Sequence, residues 1–551
     1  MITVYTAKSI LTMNESAPRA TAVAVRDGRI MEVGSLASLA PWLDAHAHQI
    51  DERFANDIIV PGLIDPHLHP TMAAVLLPMF FITAMQWRFP WGTTEPTTNP
   101  QDYDQRLAAA AEANTQELLI TWGHHALWHG DMSRERINRI DSVTPIVVWN
   151  RSFHEVCMND GALKLLGINA TSIGRRQQID LERGRFFEKG LGYAIQKLNP
   201  WILAPERLRN GLERLREVVH FGGHTTIADL AVGIFDFDTE MAGLTDILDT
   251  PNAPFRTELV ANALALSASR DDDQLLQFID RLPQQNTAKL NFRHRVKLFA
   301  DGAFFSEIAQ LQAPGYIDGH DGEWLMVPEK LESTARIYWN AGYQVHVHVT
   351  GDLGVELALD VLEPLQWERP RFNHGFTLEH FGFCTPEQID RAAALGAQVS
   401  ANVYYLHELS AIYATRSVGY ERASSMARLG SAMARGINTT LHSDFTMAPA
   451  QPLNSMWVAV NRINAEGELM GAAERLSPEQ GLRAITLNAA KVLGLSDEIG
   501  SIRAGKKADF TVLAEDPLTC DPMHIKDIEI KATVFEGRVH PIEPAKPRDS
   551  N

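Results

Sequence analysis

Only three cysteines, Cys157, Cys384 and Cys520, occur in 551 residues, and they are widely scattered. That scarcity excludes a disulfide framework and a thiolate zinc site, and it fits a reducing cytoplasm. Basic residues are also in the minority, 50 Lys and Arg against 68 Asp and Glu, for a formal net charge of -18. Phosphate binding needs basic surface, so nucleic acid is not an expected partner and the acidic balance reads as a solvated surface. Long apolar runs are missing too. The strongest, Thr71 to Met85, is short for a membrane span and contains Pro78, so it is expected to line a pocket. The amino terminus shows no charged segment leading into an apolar core, so no secretory signal is expected. What is present, 45% hydrophobic and 21% charged residues, suits a globular protein with ample core acting on a small molecule.

The most informative stretch runs from Val60 to His69, VPGLIDPHLH. Side chains two apart on a strand share a face, so His67 and His69 point together from the end of an apolar strand, where a metal can sit. Later segments repeat the pattern. Tyr343 to Val349 alternates cleanly after a helical run from Pro328 to Ala341 that stops at Gly342, and places His346 and His348 on one face. His348 stands nearer the carboxyl end and is the better ligand candidate; His346 is expected to be a packed interior residue. Phe376 to Phe381 delivers His380, and Ile437 to Asp444 ends in Asp444. Imidazole nitrogen and carboxylate oxygen suit zinc or a similar borderline metal.

Lys297 stands in the apolar strand Arg295 to Gly302. Burial lowers a lysine's pKa and supplies the neutral amine, which carbon dioxide converts to a carbamate able to bridge two metals. The alternative is an ordinary lysine paired with Asp301 or another carboxylate.

In this order, His67, His69, Lys297, His348, His380 and Asp444 resemble the metal ligands of the amidohydrolase superfamily. The branch that is most similar contains N-substituted formamide deformylase. The matching stretches are Lys297 to Gly302, His348 to Asp352, Glu379-His380 and Gly500 to Phe510. One departure is His442-Ser443-Asp444, where the branch more often has glycine before Ser-Asp. The resemblance implies a (β/α)8 barrel, one or two divalent metals, zinc above all, a carboxylated Lys297, Asp444 as catalytic proton carrier, His154 as a substrate contact, and a homodimer.

The ends of the chain carry short alternating segments, with turns at Asp27-Gly28 and Glu536-Gly537, while the middle alternates strands and helices. The expected architecture is a β-sandwich from residues 1–58 and 500–551 flanking an α/β TIM barrel over 59–499. Barrel strands two, three and seven are expected at Gly222 to Asp229, Phe255 to Ala261 and Gln398 to Tyr404. Residues 70–205 then form an inserted lobe between strands one and two, far longer than such a connection needs. Its aromatics, Phe80, Phe81, Trp87, Phe89, Trp91, Trp122, Trp128 and Trp149, either wall an apolar substrate pocket or form the lobe's core. His124, His125 and His129 lack a strand-end partner and are not counted as ligands.

The expected function is hydrolysis of a non-peptide carbon–nitrogen bond, most simply an amide or N-substituted formamide. One alternative is a deaminase, but such relatives generally lack the bridging lysine and carry glutamate three residues after the strand-five histidine, where this chain has Gly351. A second is a non-catalytic binding or regulatory relative, which is expected to have lost ligands.

Overall fold

In a computed structural model describing residues 1–544, eight parallel strands form a nearly closed barrel. They are β1 (Leu63–Leu68), β2 (His224–Val232), β3 (Arg256–Asn262), β4 (Leu290–Phe299), β5 (Gln344–Val349), β6 (Thr377–His380), β7 (Gln398–Ala401) and β8 (Thr439–Leu441). β1 and β2 are buried at every position, as expected of strands covered on both faces. No ladder joins β8 to β1. The gap is closed just beyond their ends, where Asp444 N–H donates to His67 O at 2.9 Å and His69 N–H donates to Phe445 O at 3.1 Å. Asp65, on β1, adds a bond from Ser443 N–H at 3.2 Å. The segments that carry His67, His69 and Asp444 are thereby stitched together.

Helices on the outside follow their local chemistry. Thr385 and Gln388 form a capping box that starts Pro386–Leu395, and Gly396, at φ 74°, ends it. The helix Pro328–Asn340 delivers the chain to β5.

The two chain ends build one seven-stranded sheet, in the order Arg538–Pro541, Ile530–Phe535, Phe510–Leu513, His48–Pro61, Ile2–Leu11, Arg19–Arg26, Arg29–Gly34. Asp27 and Gly28, and likewise Glu536 and Gly537, all have positive φ, the geometry of tight hairpins. The edge strand Arg29–Gly34 and its hairpin turn close back onto the segment leading into Phe510–Leu513: Ala508 N–H donates to Gly28 O at 2.8 Å and Gly505 N–H to Ile30 O at 2.8 Å. Ile10, Val23, Ile59, Phe510 and Val534 fill the space enclosed. The final stretch of the segment assigned to this part, residues 545–551, lies outside the described residues.

Between β1 and β2 the chain forms a second, six-stranded sheet that includes Leu119–His124, Ile146–Asn150 and Glu155–Met158. Trp87, Phe89, Trp122 and Trp149 are buried in a core continuous with that of the barrel. Arg151 pins this lobe to the barrel. Its guanidinium meets Glu408 at 2.9 Å, bonds Met447 O, and lies over the rings of Trp122 and Phe305. The stretch expected to line a pocket is instead mostly core: the helix Pro70–Leu76 buries Ala73 to Leu76, and Met72 alone of this run reaches the main cavity. Among the described residues, no helix is long and apolar enough to cross a membrane.

Candidate metal centre

His67, His69, Lys297, His348, His380 and Asp444 all line a single cavity at the carboxyl end of the barrel. Alternation along β1 brings the first two together, with ring centroids 5.1 Å apart. β4 and β5 run in register with Phe299 opposite His348, and β5 and β6 with Val349 opposite His380. The His348 and His380 rings consequently stand 4.3 Å apart, and His67 and His380 4.8 Å. Asp444 completes the group, with Oδ1 3.0 Å from His69 Nε2 and 3.6 Å from His67 Nε2, and Oδ2 3.6 Å from His380 Nδ1. His380, at φ 71°, and Asp444, at φ 51°, occupy the left-handed region that non-glycine residues rarely adopt. Such strain persists where surrounding bonds over-determine it, as the His67–Asp444 backbone bond does here.

Burial, then the charge of Lys297, hold His67 and His348 well below the ordinary imidazole pKa; burial, His348 and Lys297 do the same for His380. That favours the neutral form of these rings, the one that offers a lone pair to a metal. His69 differs. Burial works to lower it, but Asp229 and Asp444 outweigh burial and raise it to about 9. Two carboxylates that favour a proton on that ring equally favour a metal cation beside it.

Lys297 is buried, its ammonium has no hydrogen-bond partner, and burial lowers its pKa to about 8 against the pull of Glu379 and Asp444. The pairing with Asp301 does not form. Asp301 instead accepts bonds from the backbone N–H groups of Gln310, Thr350 and Gly351 at 2.7–2.9 Å.

The donor set fits a divalent metal on independent grounds. Nε2 of His67 and His348, Nδ1 of His69 and Nζ of Lys297 are all buried without a hydrogen-bond partner. Buried polar groups usually find partners; His69 Nδ1 has Asp229 beside it at 3.7 Å, and the other three at one cavity, Nε2 of His67 and His348 and Nζ of Lys297, point to a shared ligand. His67, His69 and Asp444 hold donor atoms within 4.8 Å of one another.

Several residues of this cluster were not picked out as site residues from the sequence. Glu379 is fully buried and accepts bonds from His67 Nδ1 at 2.8 Å and His346 Nδ1 at 2.6 Å, which gives the interior His346 its partner. Asp229, within β2, flanks His69 Nδ1 at 3.7 Å. His442 joins His67 and His380 in a second close-packed donor group. Carboxylates inside apolar strands were the available signal for Glu379 and Asp229.

His154 lines the cavity, with its Nδ1 3.0 Å from Glu188 Oε1. His124 and His129 are structural: their Nε2 atoms reach Gly130 O at 2.9 Å and Thr97 O at 2.7 Å, and His129 Nδ1 accepts the His125 N–H at 3.0 Å. The cavity measures about 450 Å³ and is walled by Phe153, Phe299, Phe304, Phe305 and Tyr405 with aliphatic neighbours. None of the lobe aromatics singled out from sequence lines this cavity: Phe80 is exposed, and the other seven lie in or pack against the core.

An eight-stranded parallel barrel with imidazoles, a lysine and a carboxylate converging at its carboxyl rim defines a metal-dependent hydrolase. The comparisons specify which kind. The amidohydrolase family model matches residues 55–540, so the chain belongs to that family and is an enzyme, a metal-dependent amidohydrolase. It is 26% identical to Protein LONG AFTER FAR-RED 3 of Arabidopsis thaliana, covering 92% of this chain and 86% of that one. It is 24% identical to the N-substituted formamide deformylase of Arthrobacter pascens, covering 94% of each. In fold it is similar to an uncharacterized metal-dependent hydrolase from Pyrococcus horikoshii, with TM-score 0.72 and 20% identity over 95% of this chain and 99% of that one.

Proposed function

We propose that this enzyme hydrolyses an amide or N-substituted formamide bearing an apolar substituent, with Asp444 as proton carrier. The observation that carries the proposal is the cavity itself: unpartnered donor nitrogens and a carboxylate at one end, aromatic and aliphatic walls elsewhere. Nitrogen and carboxylate donors without thiolate suit zinc. When bound, the metal lowers the pKa of water from ~15.7 to about 7 and polarises a carbonyl.

The chain's own residues supply the rest. Asp444 lies at the rim between His69 and His380, placed to accept the proton of the attacking water and return it to the leaving amine. Lys297, neutral in a large share of molecules near pH 8, is available for carboxylation and would then add an anionic ligand. His154, braced by Glu188, faces the same space and is positioned to hold the substrate's polar end. The aromatic walls exclude water and accept the substituent on nitrogen. The name of the deformylase relative, which spans nearly the same length, agrees with this chemistry.

Deaminase relatives generally carry a glutamate at the position of Gly351. A Cβ built there would lie 1.9 Å from Gln310 O, so the backbone leaves no room for that side chain. The test is a hydrolysis screen of aryl and alkyl formamides, acetamides and cyclic amides, with metal content measured alongside. Release of amine from the acyl compounds supports the proposal; ammonia release from aminated heterocycles alone overturns it.

A further inference from the structure

His67 belongs to two donor groups at once: one with His69 and Asp444, the other with His380 and His442, each with donor atoms within 4.8 Å. The His67 and His442 rings lie side by side, centroids 4.4 Å apart and planes inclined by 38°. Both present Nδ1 to the same carboxylate oxygen, Glu379 Oε2, at 2.8 Å for His67 and 3.6 Å for His442. Both therefore turn Nε2 the opposite way, towards the other donors. His67 Nε2 faces Asp444 at 3.6 Å, and His442 Nε2 lies 3.3 Å from His380 Nδ1.

We infer that His442 is itself a metal ligand, joining His67 and His380 on the ion that His69 and Asp444 also border. A neutral imidazole nitrogen has one lone pair, so His67 serves a single ion, and the two donor groups describe one coordination shell rather than two sites. Ser400 supplies the required support. Its hydroxyl lies 2.8 Å from His442 Nδ1, so Nδ1–H can donate to it while Nε2 keeps its lone pair for the metal. An added imidazole enriches the shell in nitrogen, which favours zinc and related borderline metals over magnesium and manganese. If His442 only filled space, its loss would alter stability and leave the metal untouched.

The inference rests on the preceding section only in taking the centre to hold a divalent metal. Zinc affinity of the full-length protein is measured by chelator competition for the wild type and His442→Gly, together with the visible spectrum of each loaded with cobalt(II). The expected result is a zinc affinity at least about tenfold weaker in the variant and a changed cobalt spectrum; unchanged affinity and spectrum overturn the inference. Crystals of the unaltered protein soaked in zinc decide the matter even if the variant does not fold. His442 Nε2 at about 2.0–2.1 Å from the ion supports it, and a separation beyond about 3 Å overturns it. Wild-type protein that takes up no zinc or cobalt overturns this inference and the functional proposal together, whereas a metal-loaded protein indifferent to His442→Gly overturns only the former.

Discussion

Glu379 and His67, 312 residues apart, are joined by a buried bond of 2.8 Å from His67 Nδ1 to the carboxylate. That bond fixes the tautomer: Nδ1 carries the hydrogen, and Nε2 turns its lone pair into the cavity. The other carboxylate oxygen accepts from His346 Nδ1 at 2.6 Å, so one acid locks two rings on neighbouring strands.

Glu379→Gln replaces an acceptor-only group with one that is half donor, and zinc affinity is expected to fall 10- to 100-fold. The same change has a pH signature. Burial works to raise the Glu379 pKa, but the His346 bond and the Lys297 charge outweigh it and hold it at about 2, below the ordinary 4.5. A carboxylate depressed in the folded state contributes stability above pH 4.5 and surrenders it as pH falls towards 2. Between pH 5 and 3 the metal-free wild type is therefore expected to lose about 2 kcal/mol that the variant does not. Urea midpoints at both pH values measure the difference.

Asp444→Asn keeps the size of the side chain but removes its basicity. Turnover is expected to fall at least about a hundredfold in protein shown to retain metal. Full turnover with metal bound would refute the proton-carrier role.

Carboxylation of Lys297 requires the neutral amine. With the pKa at about 8, the neutral fraction rises from roughly a tenth at pH 7 to about three-quarters at pH 8.5. Reloading of metal-free protein is thus expected to speed up with bicarbonate and with pH over that range, and Lys297→Ala is expected to abolish both dependences. Metal uptake followed with and without bicarbonate provides the check.

Arg151 and Glu408 are 1% and 2% exposed, and their pair joins the lobe to the barrel beside Met447. Removing one partner leaves the other charge buried and unpaired, so Arg151→Met is expected to cost about 3–5 kcal/mol, while Arg151→Met with Glu408→Leu costs clearly less. Thermal melts of the single and double variants test the coupling.

The barrel was legible because each strand ends where apolar alternation gives way to a polar residue or glycine, and the order of the candidate ligands follows from those ends. Boundaries were less so: β8 stops at Leu441 rather than Asp444, and Asp444 itself takes a left-handed turn. The alternation that pairs His67 with His69 pairs His442 with Asp444 equally, so the signal for His442 was present in the sequence. Glu379 could be seen, but its bonds to His67 and His346 depend on register between strands far apart in the chain. Local pattern could not show which rings wall the cavity. Phe299, Phe304, Phe305 and Tyr405 reach it from the barrel and the segments after β4 and β7, while the conspicuous tryptophans of the lobe pack inward.

The most direct test of the account is amide hydrolysis by metal-stripped and zinc-reloaded protein, assayed on N-substituted formamides with apolar substituents. The account predicts negligible turnover after stripping and recovery that rises in proportion to bound zinc. Equal turnover in both forms, or none in protein fully loaded with metal across the amide series, would contradict it.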